Sequence, residues 1–80
     1  MIVVRLFAAA RAAAGVSETS IEASTLGELK EVLVRDFPKL EPVLVKCSFL
    51  VNEVSTRDDA ATLSSGDTVD VLPPFAGGSL

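Results

Sequence analysis

The sequence predicts a small α+β domain, in which one main helix crosses one face of a mixed sheet of four to five strands. Three observations support this fold class. The 80 residues are enough for one hydrophobic core and too few for two. Short β-branched runs lie near both ends of the chain, and a longer segment between them has the apolar periodicity of an amphipathic helix. The function of so small a domain must lie on its surface or at an end.

The chain begins with two predicted strands and a short helix between them. Residues 2–8 (IVVRLFA) are β-branched and apolar around one charge, as in a central strand. Residues 9–14 are alanine-rich and predict a turn or two of helix, which Gly15 would cap at its C-terminus. Residues 16–23 (VSETSIEA) are more polar and predict a second strand at a sheet edge.

The main helix is predicted to begin at Thr25 and to end before Pro38. Thr25 and Glu28 have the spacing of a capping box, in which each side chain binds a free N–H group at the helix start. Residues 40–45 predict a short irregular or helical connection. Apolar residues three and four positions apart give the main helix one face that is predicted to be buried, namely Leu26, Leu29, Leu33 and Phe37.

Three more strands are predicted after this helix. Residues 47–51 (CSFLV) form the first, and Asn52-Glu53 can turn the chain into a short strand at residues 54–56. A Ser-Gly-Asp turn leads into residues 68–72 (TVDVL), and Pro73-Pro74 end this last strand. The order of elements predicts a β-grasp domain over residues 1–74.

Composition excludes several classes of function. Eleven acidic and seven scattered basic side chains give a net charge of −4, which argues against a nucleic-acid partner. No apolar run approaches the roughly 18–20 residues that span a bilayer, and the N-terminus lacks the features of a signal peptide. We therefore expect a soluble, cytoplasmic protein with no membrane partner.

The chain has little side-chain equipment for catalysis. It has no histidine and one cysteine, so a His-dependent nucleophile, a disulfide framework and a zinc site are all excluded, and we expect no bound metal. Cys47 lies in an apolar run, where a buried, unreactive thiol is expected. Asp58 and Asp59 are adjacent carboxylates, but the polar run STRDD indicates a solvated turn.

The first and last strands predict an exposed apolar patch. Side chains alternate along a strand, so the face that carries Arg5 and Asp70 should be the solvated one. Phe7 and Leu72 would then be exposed on that face, at the end from which the chain leaves the sheet. Such a patch suits a docking surface, although the helical turn at residues 9–14 could instead cover both side chains.

The C-terminal residues LPPFAGGSL predict a projecting tail. Pro73-Pro74 fix an extended backbone, and residues 73–78 could reach about 20 Å from the domain. Gly77 and Gly78 have no side chains and could pass through a narrow channel. We expect residues 75–80 to be a flexible tail; a frayed terminus with chance glycines is the alternative.

Several motifs resemble one family along essentially the whole chain. LFAAAR near the start, SSGDTVDVLPP and the PPFAGG ending are similar to the MoaD/ThiS family of ubiquitin-like sulfur carriers, and most of all to its MoaD group, the molybdopterin synthase small subunits. The resemblance implies a ubiquitin-like β-grasp fold. It also implies sulfur donation from a C-terminal glycine thiocarboxylate in molybdenum cofactor biosynthesis, as a non-catalytic subunit of a transferase complex.

The resemblance implies roles for individual residues. Gly78 would be adenylated with ATP and converted to the thiocarboxylate, so ATP is used by the activating enzyme and no cofactor is bound. The tail residues Phe75, Ala76 and Gly77 would enter the active site of the large, MoaE-like subunit. An E1-like, MoeB-like enzyme would be the second partner. Contacts to a partner would come from Phe7, Leu72 and Arg11, although Arg11 could equally be a solvated helix residue.

The chain departs from the family pattern in continuing past the second glycine. With Ser79 and Leu80 attached, the Gly78 carbonyl is an amide, which cannot be adenylated as a carboxylate can. A protease could remove both residues, they could be a cloning remnant, or the protein never forms a thiocarboxylate; we expect one of the first two. Three other functions stay open: a sulfur carrier for cysteine or thiazole synthesis, a ubiquitin-like protein modifier, and a simple β-grasp binding module.

Overall fold

The computed structural model describes residues 1–74, which form a five-stranded mixed sheet with helices packed on one face. The strands are β1 (Ile2–Leu6), β2 (Glu18–Ile21), β3 (Ser48–Val51), β4 (Val54–Thr56) and β5 (Thr68–Leu72). The helices are α1 (Ala8–Ala14), α2 (Leu26–Asp36) and α3 (Glu41–Leu44), with a 3₁₀ turn at Pro38–Leu40. The predicted α+β, β-grasp fold is confirmed.

The sheet places its first and last strands side by side. The strand order is β2-β1-β5-β3-β4, with β1 parallel to β5 and every other pair antiparallel. Strand β2 lies at an edge, as its polar sequence predicts. Because β5 has a neighbour on each side, the chain leaves the sheet from its centre.

Helix α2 is capped nearly as the sequence predicts. The Thr25 hydroxyl accepts a hydrogen bond from the Glu28 N–H at 3.2 Å. The Glu28 carboxylate accepts from the N–H of Ser24, one residue before the expected donor. The helix ends at Asp36, because Pro38 follows. The predicted apolar stripe is buried at Leu26, Leu29 and Leu33 and half-buried at Phe37.

The first strand is shorter than predicted. It ends at Leu6 because Phe7 is the N-cap of α1, and Ala8 already belongs to the helix. Gly15 ends this helix in the left-handed conformation, with φ of 82° and its N–H bonded to the Arg11 carbonyl at 2.8 Å. The glycine C-cap is therefore confirmed.

The core lies between the helices and the inner face of the sheet. Val4, Val69 and Val71 from the two central strands are fully buried against the leucines of α2. The face of the sheet opposite the helices, which we call the open face, carries Arg5 and Asp70. Among residues 1–74, no helix has the length and hydropathy needed to cross a membrane.

A hydrogen-bonded turn delivers the chain into β5. The Asp67 carboxylate accepts from the Ser64 N–H at 2.8 Å and from the Asn52 side-chain amide at 3.1 Å. The Asn52 side-chain carbonyl in turn accepts from the Thr68 N–H at 3.0 Å. The predicted Ser-Gly-Asp turn is thus tied to the β3–β4 hairpin, which fixes where β5 begins.

Candidate functional site

The end of β5 is held firmly where the chain leaves the sheet. Its buried valines anchor the strand between β1 and β3. Strand β5 ends at Leu72, directly before the two prolines, as predicted, and Pro73 is buried whereas Pro74 is exposed. The predicted tail residues Phe75, Ala76, Gly77 and Gly78 lie outside the described residues, and their roles stay predictions.

Phe7 lies directly beside the end of β5. The parallel register pairs Leu6 with Val71, and the Phe7 N–H donates to the Val71 carbonyl at 3.3 Å. The Phe7 side chain is exposed, so the α1 turn does not cover it. The chain reverses sharply after it, because Ala8 has a φ of 50°, a conformation that costs a non-glycine residue free energy. The backbone thus holds an aromatic ring at the surface next to the exit of β5.

Leu72 and Arg11 complete this end of the molecule. Continuing the β1–β5 register by one residue places Leu72 next to Phe7, and on its other side Leu72 pairs with Ser48. Leu72 is half-buried, less exposed than predicted, because β5 has a strand on each side. Arg11 is exposed one helical turn after Phe7, and its N–H donates to the Phe7 carbonyl at 3.4 Å. We call Phe7, Arg11 and Leu72 the docking patch.

An ion pair occupies the centre of the open face. The Arg5 guanidinium donates to both oxygens of Asp70, from Nε at 2.7 Å and from Nη2 at 2.9 Å. The Asp70 carboxylate raises the pKa of Arg5, first through this hydrogen bond and then through its charge. Such a bidentate pair has a fixed geometry, so it adds a defined charged feature beside the docking patch.

The burial of Asp70 corrects the expectation that its whole face is solvated. Asp70 is only 7% exposed, because Arg5 lies over it, whereas Arg5 itself is exposed. Sequence reasoning put both residues on one face and missed their pairing. Opposite charges at equivalent positions of two adjacent strands were the available signal, but the register was needed to use it.

Cys47 does not add a reactive group. Its thiol is half-buried and donates to the Val43 carbonyl, with Sγ and oxygen 3.2 Å apart. Burial raises the pKa of this thiol, so the thiolate that would act as a nucleophile is disfavoured. The expectation of an unreactive thiol is supported, although its burial is only partial.

Comparison with solved structures gives close matches over nearly the whole chain. Small archaeal modifier protein 1 from Methanosarcina acetivorans has a TM-score of 0.86 and 24% identity, with 96% of this chain and 95% of that chain covered. A provisionally assigned molybdopterin converting factor subunit 1 from Pyrococcus furiosus has a TM-score of 0.84 and 26% identity, with 92% and 97% covered.

A third match is a complex. It contains subunits 1 and 2 of molybdopterin-converting factor from Helicobacter pylori 26695, and the matched chain has a TM-score of 0.75 and 27% identity, with 96% of this chain and 97% of that chain covered. The family model described as the ThiS family matches residues 4–78. Since that match includes the β-grasp domain and the glycine pair that follows it, the chain belongs to the ThiS family of ubiquitin-like sulfur carriers.

Proposed function

We propose that this protein is the sulfur-carrying small subunit of a molybdopterin synthase. The observation that carries the proposal is the exit of β5 beside the docking patch, from which the sequence continues as FAGG. Of the structural neighbours above 25% identity, one is in a complex of subunits 1 and 2 of molybdopterin-converting factor, and another is a provisionally assigned subunit 1 of that factor. Both neighbours support the molybdopterin role over the other sulfur pathways.

The reactive group in this proposal is the Gly78 carboxyl, and no side chain of the protein acts as a catalyst. Its carboxylate attacks the α-phosphate of ATP, which releases pyrophosphate and leaves an acyl-adenylate. Sulfur at the oxidation level of sulfide then attacks the acyl carbon, displaces AMP and gives the thiocarboxylate. The large subunit uses this group to pass one sulfur to the pterin precursor, and the glycine returns as a carboxylate. This sequence needs a free Gly78 carboxylate, so the Gly78–Ser79 peptide bond must first be hydrolysed.

The resemblance to the MoaD group implies two partners. An E1-like, MoeB-like enzyme binds ATP and adenylates Gly78, and a MoaE-like large subunit receives the tail residues 75–78. Phe7 and Leu72 supply apolar contact area to the large subunit, and Arg11 supplies a charged contact at the rim. Both activation by ATP and a reduced Cys47 thiol fit the cytoplasm.

The first test is the intact mass of the untagged protein purified from its own cells. We expect a species that ends at Gly78, together with a heavier form in which one carboxyl oxygen has been exchanged for sulfur. The heavy form should disappear when the gene for the activating enzyme is deleted. A population that retains Ser79 under conditions of active cofactor synthesis would contradict the proposal.

The same preparation separates the alternatives. Conjugates of higher mass that require Gly78 would indicate a protein modifier. A thiocarboxylate on the purified protein, together with molybdenum-dependent enzymes that stay active in a strain lacking the gene, would indicate a carrier for cysteine or thiazole synthesis. A function that survives loss of residues 77–80 would indicate a binding module.

A further inference from the structure

A polar cavity of about 240 Å³ lies at the β3–β4 edge of the domain. It is near the exit of β5, because Ser48 at its rim pairs with Leu72. Cations from three separate segments line it, namely Lys30 of α2, Lys46 after α3 and Arg57 after β4. Ser48, Ser55 and Thr56 are also among its lining residues. No carboxylate is among its lining residues.

Lys30 is fixed in place on one side of this cavity. Its Nζ lies 2.7 Å from the Asp59 carboxylate and 4.7 Å from the centroid of the Phe49 ring. The ion pair offsets the Lys30 charge, and the ring holds the ammonium by a cation–π contact. Lys30 is therefore paired within the protein and contributes little net charge to the cavity.

Lys46 and Arg57 give the cavity its positive charge. Both are exposed, and neither has a carboxylate within ion-pair distance in the part of the chain that the structure describes. The protein as a whole has a net charge of −4, so two unpaired cations around one concave surface are a local exception.

The basic and polar lining favours an oxyanion over an apolar ligand. Arginine presents a planar fork of donors that matches phosphate oxygens, and lysine adds a point charge. The Thr56 hydroxyl oxygen accepts from the Asp58 N–H, which leaves its own hydrogen free to donate. Cys47 is directed to the Val43 carbonyl and takes no part. The volume equals that of roughly eight waters, which is ample for one tetrahedral anion.

We propose that this cavity, between Lys46 and Arg57, binds a phosphate-type oxyanion. The anion would come either from free phosphate or from the phosphate groups of a nucleotide. The site is independent of the tail chemistry proposed above, because none of its residues belongs to the docking patch or to residues 75–78.

The test is a titration of the ¹⁵N-labelled full-length protein with inorganic phosphate at constant ionic strength, followed by backbone amide shifts. We expect saturable shifts at residues 46–49 and 55–57. A variant with Lys46→Gln and Arg57→Gln should bind phosphate at least about tenfold more weakly, since it loses two charge-assisted hydrogen bonds. The matched control carries Arg35→Gln and Lys39→Gln, which change the net charge equally outside the cavity, and should bind as the unchanged protein does.

A second titration with ATP identifies the source of the anion. Tighter binding of ATP than of phosphate, with the same residues shifted, would assign the site to a nucleotide; equal or weaker binding would assign it to free phosphate. The proposal fails if the shifts do not saturate, if they spread over the whole domain, or if both double variants lose binding equally. Thermal unfolding of both variants checks that each is folded.

Discussion

Asp70 is the only charged side chain buried within residues 1–74, and Arg5 is its ion-pair partner. Arg5→Met leaves the carboxylate without its donors, so it should lower the free energy of unfolding. Because the Arg5 side chain is 44% exposed, solvent screening should keep the loss small. Urea denaturation measures the change in the free energy of unfolding.

The double variant Arg5→Met, Asp70→Leu is the control for this pair. It replaces the ion pair by two apolar side chains on neighbouring strands, so it should recover most of the stability that Arg5→Met loses. The cycle is completed by Asp70→Leu alone. If the loss of stability in the double variant equals the sum of the losses in Arg5→Met and Asp70→Leu, the two residues do not interact. The cycle thus separates the pair from the packing of Arg5 alone.

The sequence predicted which face each of these residues occupies, but not that one covers the other. Alternation along a strand is local, so the inward set of Ile2, Val4 and Leu6 could be predicted without a structure. The contact between Arg5 and Asp70 joins positions 65 residues apart and depends on which strands are neighbours. The polar cavity at the β3–β4 edge, which we call the cation cavity, could not be predicted for the same reason, because Lys30, Lys46 and Arg57 come from separate segments of the chain.

At the scale of an element, the β3–β4 hairpin offers a direct test of backbone strain. Asn52 and Glu53 have φ of 50° and 71°, as the two central residues of a type I′ turn require. Glycine adopts this conformation without strain, so Glu53→Gly should raise the free energy of unfolding by up to about 1 kcal/mol. Thermal or urea denaturation measures this change. A lower free energy of unfolding for Glu53→Gly would mean that the Glu53 side chain stabilises the turn.

Asn52→Gly is the matched variant for that hairpin. It relieves the same kind of strain, but it removes the hydrogen bonds to Asp67 and from the Thr68 N–H. We therefore expect Asn52→Gly to lower stability although Glu53→Gly raises it. Equal gains from both variants would mean that the Asn52 side chain does not stabilise the start of β5.

The turn before β5 also predicts a dependence on pH. Hydrogen bonds from the Ser64 N–H and then from Asn52 lower the pKa of Asp67 below its ordinary 3.8. The folded state therefore binds this proton less readily than the unfolded state, so the stabilisation is complete above pH 3.8 and is lost as the pH falls through the lower folded pKa.

Thermal unfolding from neutral pH to below pH 3.8 tests this direction. The unchanged protein should be more stable than Asp67→Asn at neutral pH, and the difference should shrink in acid. Glu31→Gln makes the same change of charge at an exposed carboxylate that accepts no side-chain hydrogen bond within residues 1–74, so it should show no such convergence. If the difference in stability between the unchanged protein and Asp67→Asn stayed the same at every pH, the lowered pKa of Asp67 would be contradicted.

Element types were predictable because most of their signals are local. The capping box, the glycine C-cap and the two-residue hairpin all act within a few residues. The structure confirms the C-cap, the hairpin and the Thr25 half of the capping box, whereas Glu28 accepts from Ser24 and not from Thr25. Boundaries were less accurate where one residue serves two elements. Phe7 continues the apolar run of β1 and is also the N-cap of α1, so the strand ends at Leu6 and not at residue 8.

At the scale of the whole molecule, the fold brings two separated parts of the chain to one end of the sheet. Phe7 follows the first strand and Leu72 ends the last one, and the parallel β1–β5 pair makes them neighbours. The sequence could predict this patch only if β1 and β5 were assumed to be neighbours, and in the structure they are. The cation cavity lies on the other side of β5, so the exit of the chain is flanked by an apolar and a basic surface.

This arrangement predicts that folding and sulfur transfer can be separated. A chain truncated after Pro74 keeps the whole described domain, so it should unfold at the same temperature as the full chain. It should still bind the large subunit through the docking patch, more weakly because the tail contacts are gone. In cells that lack the gene, it should restore no activity of a molybdenum-dependent enzyme.

Phe7→Asp in the full-length chain is the complementary variant. Phe7 is exposed, so the change should leave thermal stability nearly unchanged. A charge in the centre of an apolar contact should weaken binding to the large subunit at least about tenfold, since its burial costs more than 1.4 kcal/mol. Gly78 should still become a thiocarboxylate, because its chemistry does not need the large subunit. If the truncated chain restored activity, the role assigned to the tail would be wrong. If Phe7→Asp bound the large subunit normally, the role assigned to the docking patch would be wrong.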